Sequence, residues 1–249
     1  MAEKTRWNSA QVYEKRHWAT KALTHEGSDL SWYQWRARKM LKNIADALDM
    51  QSVSFAGKNV LEVGSGPVGV VSALGAEKKI AVDPLCDFYS SQKALTQYRG
   101  ENVKYLNVRG EELPFEAASF DLVIVENVID HVENIHKVMS EISRVIRSGG
   151  ILYLTVNLHP FIGYFLHRAA SRLQIDRGHP HTFTIEKIRK FIQQSGFEIQ
   201  YDSWEGFKEC WRNDFQSDSF RRRLKAASGL SEFLYTSVST VNRNNHKVG

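Results

Sequence analysis

The chain has 249 residues, 42% of them hydrophobic and 24% charged, which is enough for one large domain with a sizeable core. No run approaches the roughly 18 uninterrupted apolar residues of a spanning helix, and Met1 to Arg16 contain no apolar signal core, so the expected location is cytoplasmic, with no membrane span. The net charge of +5 is modest and dispersed, which counts against nucleic acid, and Cys86 and Cys210 form neither a CxxC pair nor a disulfide pattern.

Residues 1–35 are dense in aromatics: Trp7, Tyr13, Trp18, Trp32, Tyr33 and Trp35, without a clean helical period. They are expected to cap the main sheet, their rings either closing a ligand pocket or anchoring an N-terminal arm. A helix is predicted from about Arg36 to Leu48, with Met40, Leu41, Ile44 and Leu48 on one face. Strand one is Asn59–Val63. It runs into Gly64-Ser65-Gly66-Pro67-Val68-Gly69, which satisfies G-x-G-x-x-G. The expected form is a buried strand, a tight turn and a helix that Pro67 opens and Gly75 stops. Alone, this segment suits a dinucleotide site, or a corner that holds no ligand.

Strand two is Lys79–Val82, ending in Asp83-Pro84. A surface helix over Ser90–Tyr98 and strand three at Val103–Asn107 follow. Strand four, Phe120–Val125, has the continuous apolar character of a strand buried on both faces. The helix Asn134–Arg147 carries the best stripe of the chain, Ile135, Val138, Met139, Ile142, Val145 and Ile146, and Gly149-Gly150 is expected to stop it. Strand five is Ile151–Asn157.

The stretch His159–Pro180 then breaks the alternation. Phe161, Ile162, Phe165, Leu166, Ala169 and Leu173 suggest an amphipathic helix, with His159, His167, His179 and His181 in or beside it. These histidines lack metal-ligand spacing with a Cys or carboxylate partner, so no metal is expected. Thr184 caps a helix bearing Ile185, Ile188, Phe191 and Ile192, ended by Gly196. Phe197–Asp202 is strand six, a polar helical connection follows, and Glu232–Val241 is the last strand. Strand–helix alternation predicts an α/β fold: a single doubly wound, mostly parallel seven-stranded sheet. It divides into an N-terminal cap (1–35), a core (36–158), an insertion after strand five (159–182) and a C-terminal part of the sheet (183–249).

The order of Val60–Gly69, Ile80–Pro84, Gly110–Phe115, Ser119–His131 and Arg144–Leu154 resembles class I S-adenosylmethionine-dependent methyltransferases. Leu113-Pro114-Phe115 followed by Ser119-Phe120-Asp121-Leu122-Val123 is similar to the small-molecule enzymes of the ubiquinone and menaquinone biosynthesis type. Arg144–Gly150 resembles their helix-to-strand turn, with Ser148 where proline is usual. The resemblance covers roughly residues 36–200 and implies a Rossmann-like fold, S-adenosylmethionine as cofactor and methyl transfer to O, N or C of a small-molecule acceptor.

By the same resemblance Asp83 accepts both ribose hydroxyls, with Pro84 beside it. Gly64, Ser65 and Gly66 let the methionine tail and ribose approach the backbone, and the amides of the following helix face the tail carboxylate. Glu62 either holds the turn or pairs with the tail's ammonium. The adenine is met after strand three, where Arg109 and Gly110 stand in place of an acidic or amide side chain. Because arginine cannot accept from the adenine amino group, that contact is assigned to Glu111 or to backbone carbonyls. Glu126, Asn127, Asp130 and His131 follow strand four, near the reacting centre. His131 is the first candidate for a base, and His159, His179 and His181 come next, since an insertion after strand five often covers the acceptor. Rival readings are a non-catalytic cofactor-binding scaffold, an RNA methyltransferase and a nicotinamide oxidoreductase. The Leu-Pro-Phe…Ser-Phe-Asp block speaks against the last, and Glu126-Asn127-Val128-Ile129, unlike an Asn-Pro-Pro-Tyr tetrad, against RNA.

Overall fold

Val60, Leu61 and Val63, together with all of Phe120 to Val125, are shut off from solvent, as a parallel strand covered on both faces must be. A computed structural model, describing residues 2–24, 30–172 and 180–241, sets these strands at the centre of a seven-stranded sheet. The strands are β1 (Asn59–Val63), β2 (Lys78–Val82), β3 (Val103–Leu106), β4 (Phe120–Glu126), β5 (Ile146–Leu158), β6 (Phe197–Glu205) and β7 (Phe233–Val241). Their order is β3-β2-β1-β4-β5-β7-β6, with only β7 antiparallel to its neighbours. The doubly wound, mostly parallel seven-stranded sheet expected from the strand–helix alternation is therefore the one found.

Helices cover both faces. On one, α5 (Ile135–Val145) and α7 (Ile185–Gln194) pack Val138, Met139, Ile142, Ile188 and Ile192 onto Leu61, Val123, Val125 and Leu152. On the other, α2 (Leu30–Ala47) lays Ala37, Met40 and Ile44 over Val60, Leu122, Ile124 and Tyr153. The remaining helices are α1 (Ala2–Thr24), α3 (Cys86–Ser90), α4 (Lys93–Thr96), α6 (Phe161–Arg172), α8 (Phe207–Phe215) and α9 (Phe220–Ala227). Among the described residues, no helix is long and apolar enough to cross a membrane. Leu173, His179 and the chain after Val241 lie outside the described residues, as do the side chains of Phe161, Ile162, Ala169 and Arg221.

Several boundaries move for identifiable reasons. The helix predicted from Arg36 starts at Leu30, and the aromatics before it ride on α1 and α2. The helix expected after Pro67 shrinks to a 3₁₀ turn at Val70–Ala73. Gly69 precedes it at φ 79°, outside the helical region, so a helix opened at Pro67 cannot run through it. The surface helix expected at Ser90–Tyr98 divides into the short α3 and α4. The helix expected to stop at Gly149-Gly150 ends at Val145, because Ile146 is taken into the sheet opposite Phe120.

The Leu113-Pro114-Phe115 loop is fastened from α5. Arg144 donates to the carbonyls of Phe115 (2.6 Å) and Leu113 (2.9 Å), Glu141 accepts from the Leu113 amide, and Phe115 packs edge-on against Phe120. Asp121 accepts the Asn59 amide and pairs with Arg147. This block builds the sheet's rim and lies away from the ligand chemistry.

The first turn of α5 depends on Asn134, whose side chain accepts the Lys137 amide at 3.0 Å. Asn134→Ala should cost about 1 kcal/mol, the usual loss of a helix cap, read as a lowered midpoint in a denaturant melt with an unchanged slope.

Candidate functional site

The carboxyl ends of β1, β2, β4 and β5 open into a cavity of about 380 Å³ roofed by α1 and α2. Its floor is Val63–Pro67, Asp83–Leu85, Arg109–Glu111 and Glu126–Val128, with His131, Tyr153, Thr155 and Leu234 at the side. Trp7, Gln11, Glu14 and Trp18 come from α1, and Trp32, Tyr33, Trp35, Arg36 and Lys39 from α2. The aromatic N-terminal segment therefore closes the pocket. Of the predicted site residues, Gly64, Ser65, Gly66, Asp83, Pro84, Arg109, Gly110, Glu111, Glu126 and His131 meet around this one space. Glu62 and His159 do not line it.

Glu62 is 1% exposed and its two carboxylate oxygens accept the amides of Val70 (3.0 Å) and Val71 (2.8 Å). Of its two expected roles it takes the structural one: it holds the turn. The Val70 and Val71 amides are thereby engaged by Glu62. Any Cβ on Gly69 would sit 2.6 Å from Glu62 Oε2, so that glycine is required. Burial, followed by the nearby Glu126 charge, pushes the Glu62 carboxyl up to about 7.

Asp83 completes the other side of the turn. Its carboxylate accepts the Gly66 amide at 2.9 Å and the Leu85 amide at 2.8 Å. Burial pushes it up to about 6, against the pull of these two donors. Gly66, at φ 62°, would carry a Cβ no nearer than 3.8 Å to any atom, that atom being on Trp18, so its open side faces the cavity.

Arg36, not anticipated from the sequence, pairs with Glu126. Its guanidinium lies 4.3 Å from the centre of the Trp32 ring. Burial raises the Glu126 carboxyl, and Arg36 opposes that rise. The only sequence signal for Arg36 was its place in an aromatic-rich helix start, which marks a covering element without marking a ligand.

Beyond β3, Arg109 is held by Glu133 (2.6 Å) and Glu111 (3.4 Å) and lies 4.2 Å from the Trp7 ring centre. One oxygen of Glu111 accepts the amides of Glu133 (3.0 Å) and Asn134 (3.2 Å), which turns it toward the start of α5. Two buried polar atoms of the wall have no hydrogen-bond partner among the described residues: Gln11 Oε1 and Arg109 Nε.

His131 is partly exposed, with Nε2 3.6 Å from Asp130 Oδ2. His159 is buried elsewhere, stacked on His167 with ring centres 4.3 Å apart and bonded through Nδ1 to the Leu230 carbonyl. Burial and the facing His167 push it down to about 4. The assignment of His159 to the acceptor side is corrected accordingly: its ring braces α6 against the chain before β7. His181 binds the Val132 carbonyl through Nε2 and steadies the loop after β4. Among the described residues there is no cluster of three or more metal-ligating side chains.

Residues 61–154 match the family described as methyltransferase domain. The chain is similar to an uncharacterized methyltransferase of Mycobacterium marinum, 34% identical over 139 residues, which are 51% of this chain and 54% of that protein. It is also similar to the ubiquinone/menaquinone biosynthesis C-methyltransferase UbiE of Allorhizobium ampelinum, 28% identical over 159 residues, 57% of this chain and 62% of the other. The chain thus spans about half the length of the first of these relatives. Among solved structures it superposes on a geranyl diphosphate methyltransferase in complex with S-adenosylmethionine, with a TM-score of 0.61 and 13% identity over 87% of this chain and 93% of that one. That likeness concerns the fold.

Glu62 supplies a pH test. A carboxyl ionising at about 4.3 when unfolded and at about 7 when folded binds more protons in the folded state. Its stabilising share is complete below the unfolded value and is lost as pH rises through about 7. Between about pH 5 and 8 the melting midpoint should fall less steeply in Glu62→Gln than in the wild type. Parallel profiles would show that Glu62 does not titrate in this window.

Proposed function

We propose that this chain, whose residues 61–154 form a methyltransferase domain of the class I S-adenosylmethionine-dependent type, transfers a methyl group to O, N or C of a small molecule. When bound, S-adenosylmethionine supplies a methyl group on a sulfonium, open to in-line attack by an acceptor lone pair. The observation carrying this reading is the placement of Asp83, Gly66 and the Arg36–Glu126 pair around one cavity at the carboxyl ends of the strands.

Each Asp83 oxygen takes one backbone amide and keeps lone-pair capacity for a ribose hydroxyl. The bare edge of Gly66 admits the sugar. Since Glu62 holds the Val70 and Val71 amides, the carboxylate of the methionine tail is assigned to Arg36 and its ammonium to Glu126. In this structure these two side chains neutralise each other. With the zwitterion between them each gains a new opposite charge, so neither is left buried and unpaired.

His131, at the cavity side after β4, is the group positioned to take a proton from a hydroxyl or amine acceptor. A roof of two helices and four indoles leaves room for a small molecule. The likeness to a quinone-pathway C-methyltransferase supports the same acceptor class.

Calorimetric titration with S-adenosylhomocysteine tests the cofactor site. The wild type should bind, and Asp83→Ala should bind about 30- to 1,000-fold more weakly, the loss of two charge-assisted hydrogen bonds discounted for their non-additivity. Arg36→Met should lose about tenfold or more. Affinity should also fall as pH drops through about 6, where Asp83 takes up its proton and ceases to be a charged acceptor. Wild-type protein indifferent to the compound overturns the assignment. Binding without transfer to any candidate acceptor would favour a scaffold.

A further inference from the structure

Exposed apolar side chains scattered singly need no explanation, but a contiguous set at helical spacing marks a contact surface. Helices α8 and α9, which pack against each other between β6 and β7, carry two such sets. Phe207, Trp211 and Phe215 follow one another by four along α8, and all three are exposed. Phe207 leans edge-on against Phe233 of β7, and Trp211 and Phe215 stack with ring centres 5.2 Å apart. On α9, Phe220 and Leu224 share one face and are 71% and 56% exposed. The inner side of the pair is filled by other groups. Asp214 is buried and accepts Arg222 Nε at 3.0 Å and Ser231 Oγ at 3.1 Å, and Ala226 is buried on α9. The rings therefore form an outer surface.

The charge around these rings is positive. Residues 207–227 hold six Lys or Arg and three Asp or Glu, a net charge of +3, and Arg221-Arg222-Arg223 is the chain's only run of three such cations. One of the three acids, Asp214, is engaged by Arg222 inside the pair. Lys208 and Arg212 run along α8 beside its aromatic stripe, and Arg223 stands three residues from Phe220; all three are exposed. A second copy of this face would bring like charge against like charge, which disfavours self-association. Aromatic and leucine side chains bordered by cations suit the boundary of an anionic bilayer, where rings enter the acyl edge and cations meet phosphates. We propose that α8 and α9 dock this protein onto an anionic lipid surface, with Trp211, Phe215, Phe220 and Leu224 entering the boundary.

The topology sets this surface beside the cavity. Strands β5 and β6 both run antiparallel to β7, so β6 ends on the sheet edge where β4 and β5 end and the cavity opens. Glu205, the last residue of β6, pairs with Lys39 of the cavity roof, and α8 begins two residues later. Docking brings the cavity close to the lipid. The inference goes beyond the methyltransferase reading and does not depend on it.

Co-sedimentation of the full chain with vesicles tests this. Wild-type protein should bind an equal mixture of phosphatidylcholine and phosphatidylglycerol about tenfold or more tightly than phosphatidylcholine alone, a preference that shrinks as salt rises. The double variant Arg212→Glu/Arg223→Glu should lose about tenfold or more on the mixed vesicles. Phe220→Ser/Leu224→Ser should lose about as much, through the apolar contact. None of these four residues lines the cavity, so thermal melts and the titration with S-adenosylhomocysteine should match the wild type in both variants. Wild-type protein that ignores the mixed vesicles, or binds both kinds equally, overturns the inference. Binding that survives undiminished in either double variant overturns it too. A dimer that Phe220→Ser/Leu224→Ser abolishes, in protein that ignores vesicles, makes the face an interface between copies and likewise overturns it.

Discussion

A carboxylate buried to within 1% of complete exclusion organises the whole site. Glu62 accepts two amides from the chain that leaves the glycine turn and bends Gly64–Gly69 back over the end of β1. Without those bonds the amides of Val70 and Val71 would be orphaned in an apolar layer, and orphaned amides are costly. The same capture occupies the first two amides of the 3₁₀ turn that stands where a full helix was expected. Arg36 on α2 is one of the cations that line this cavity, and it is paired with Glu126.

The site is thus shared between two layers that differ in how they are encoded. The sheet edge contributes Gly66, Asp83 and Glu126, each at the carboxyl end of a strand. The roof contributes Gln11, Arg36 and a set of indoles, from two helices that pack across the strand ends. Aromatic rings suit the roof because they exclude water over a large area while spending little conformational freedom. Stacking also steadies the cations: Arg36 lies over Trp32, and Arg109 lies against Trp7.

Some motif residues fasten the architecture around the site. Arg144 clips the Leu113–Phe115 loop to α5, and Asp121 clips the start of β1. Glu111 ties the start of α5 to the loop after β3. A Cβ on Gly110 would meet Val63 and Val138 at 3.1 and 3.3 Å, so those side chains would have to give by a few tenths of an ångström. Such residues make a resemblance recognisable because they set the sheet's rim, on which any ligand set must then be mounted.

From the amino-acid order alone, the sheet, its doubly wound build and the strand-end site at Gly64–Gly66 and Asp83 were legible. Local apolar runs, glycine placement and short-range turn chemistry determine those features, and all of them act over a few residues. The Arg36–Glu126 pair and the stacked His159–His167 pair were not legible in that way. Whether a charged side chain on one helix meets a carboxylate 90 residues further on depends on how α2 crosses β4, and that crossing is settled by packing of the entire face. His159 shows the converse: its position after β5 suggested the acceptor side, but the fold stacks its ring on α6. Periodicity in the chain says which face of an element is buried; only the assembled layers decide what that face is buried against.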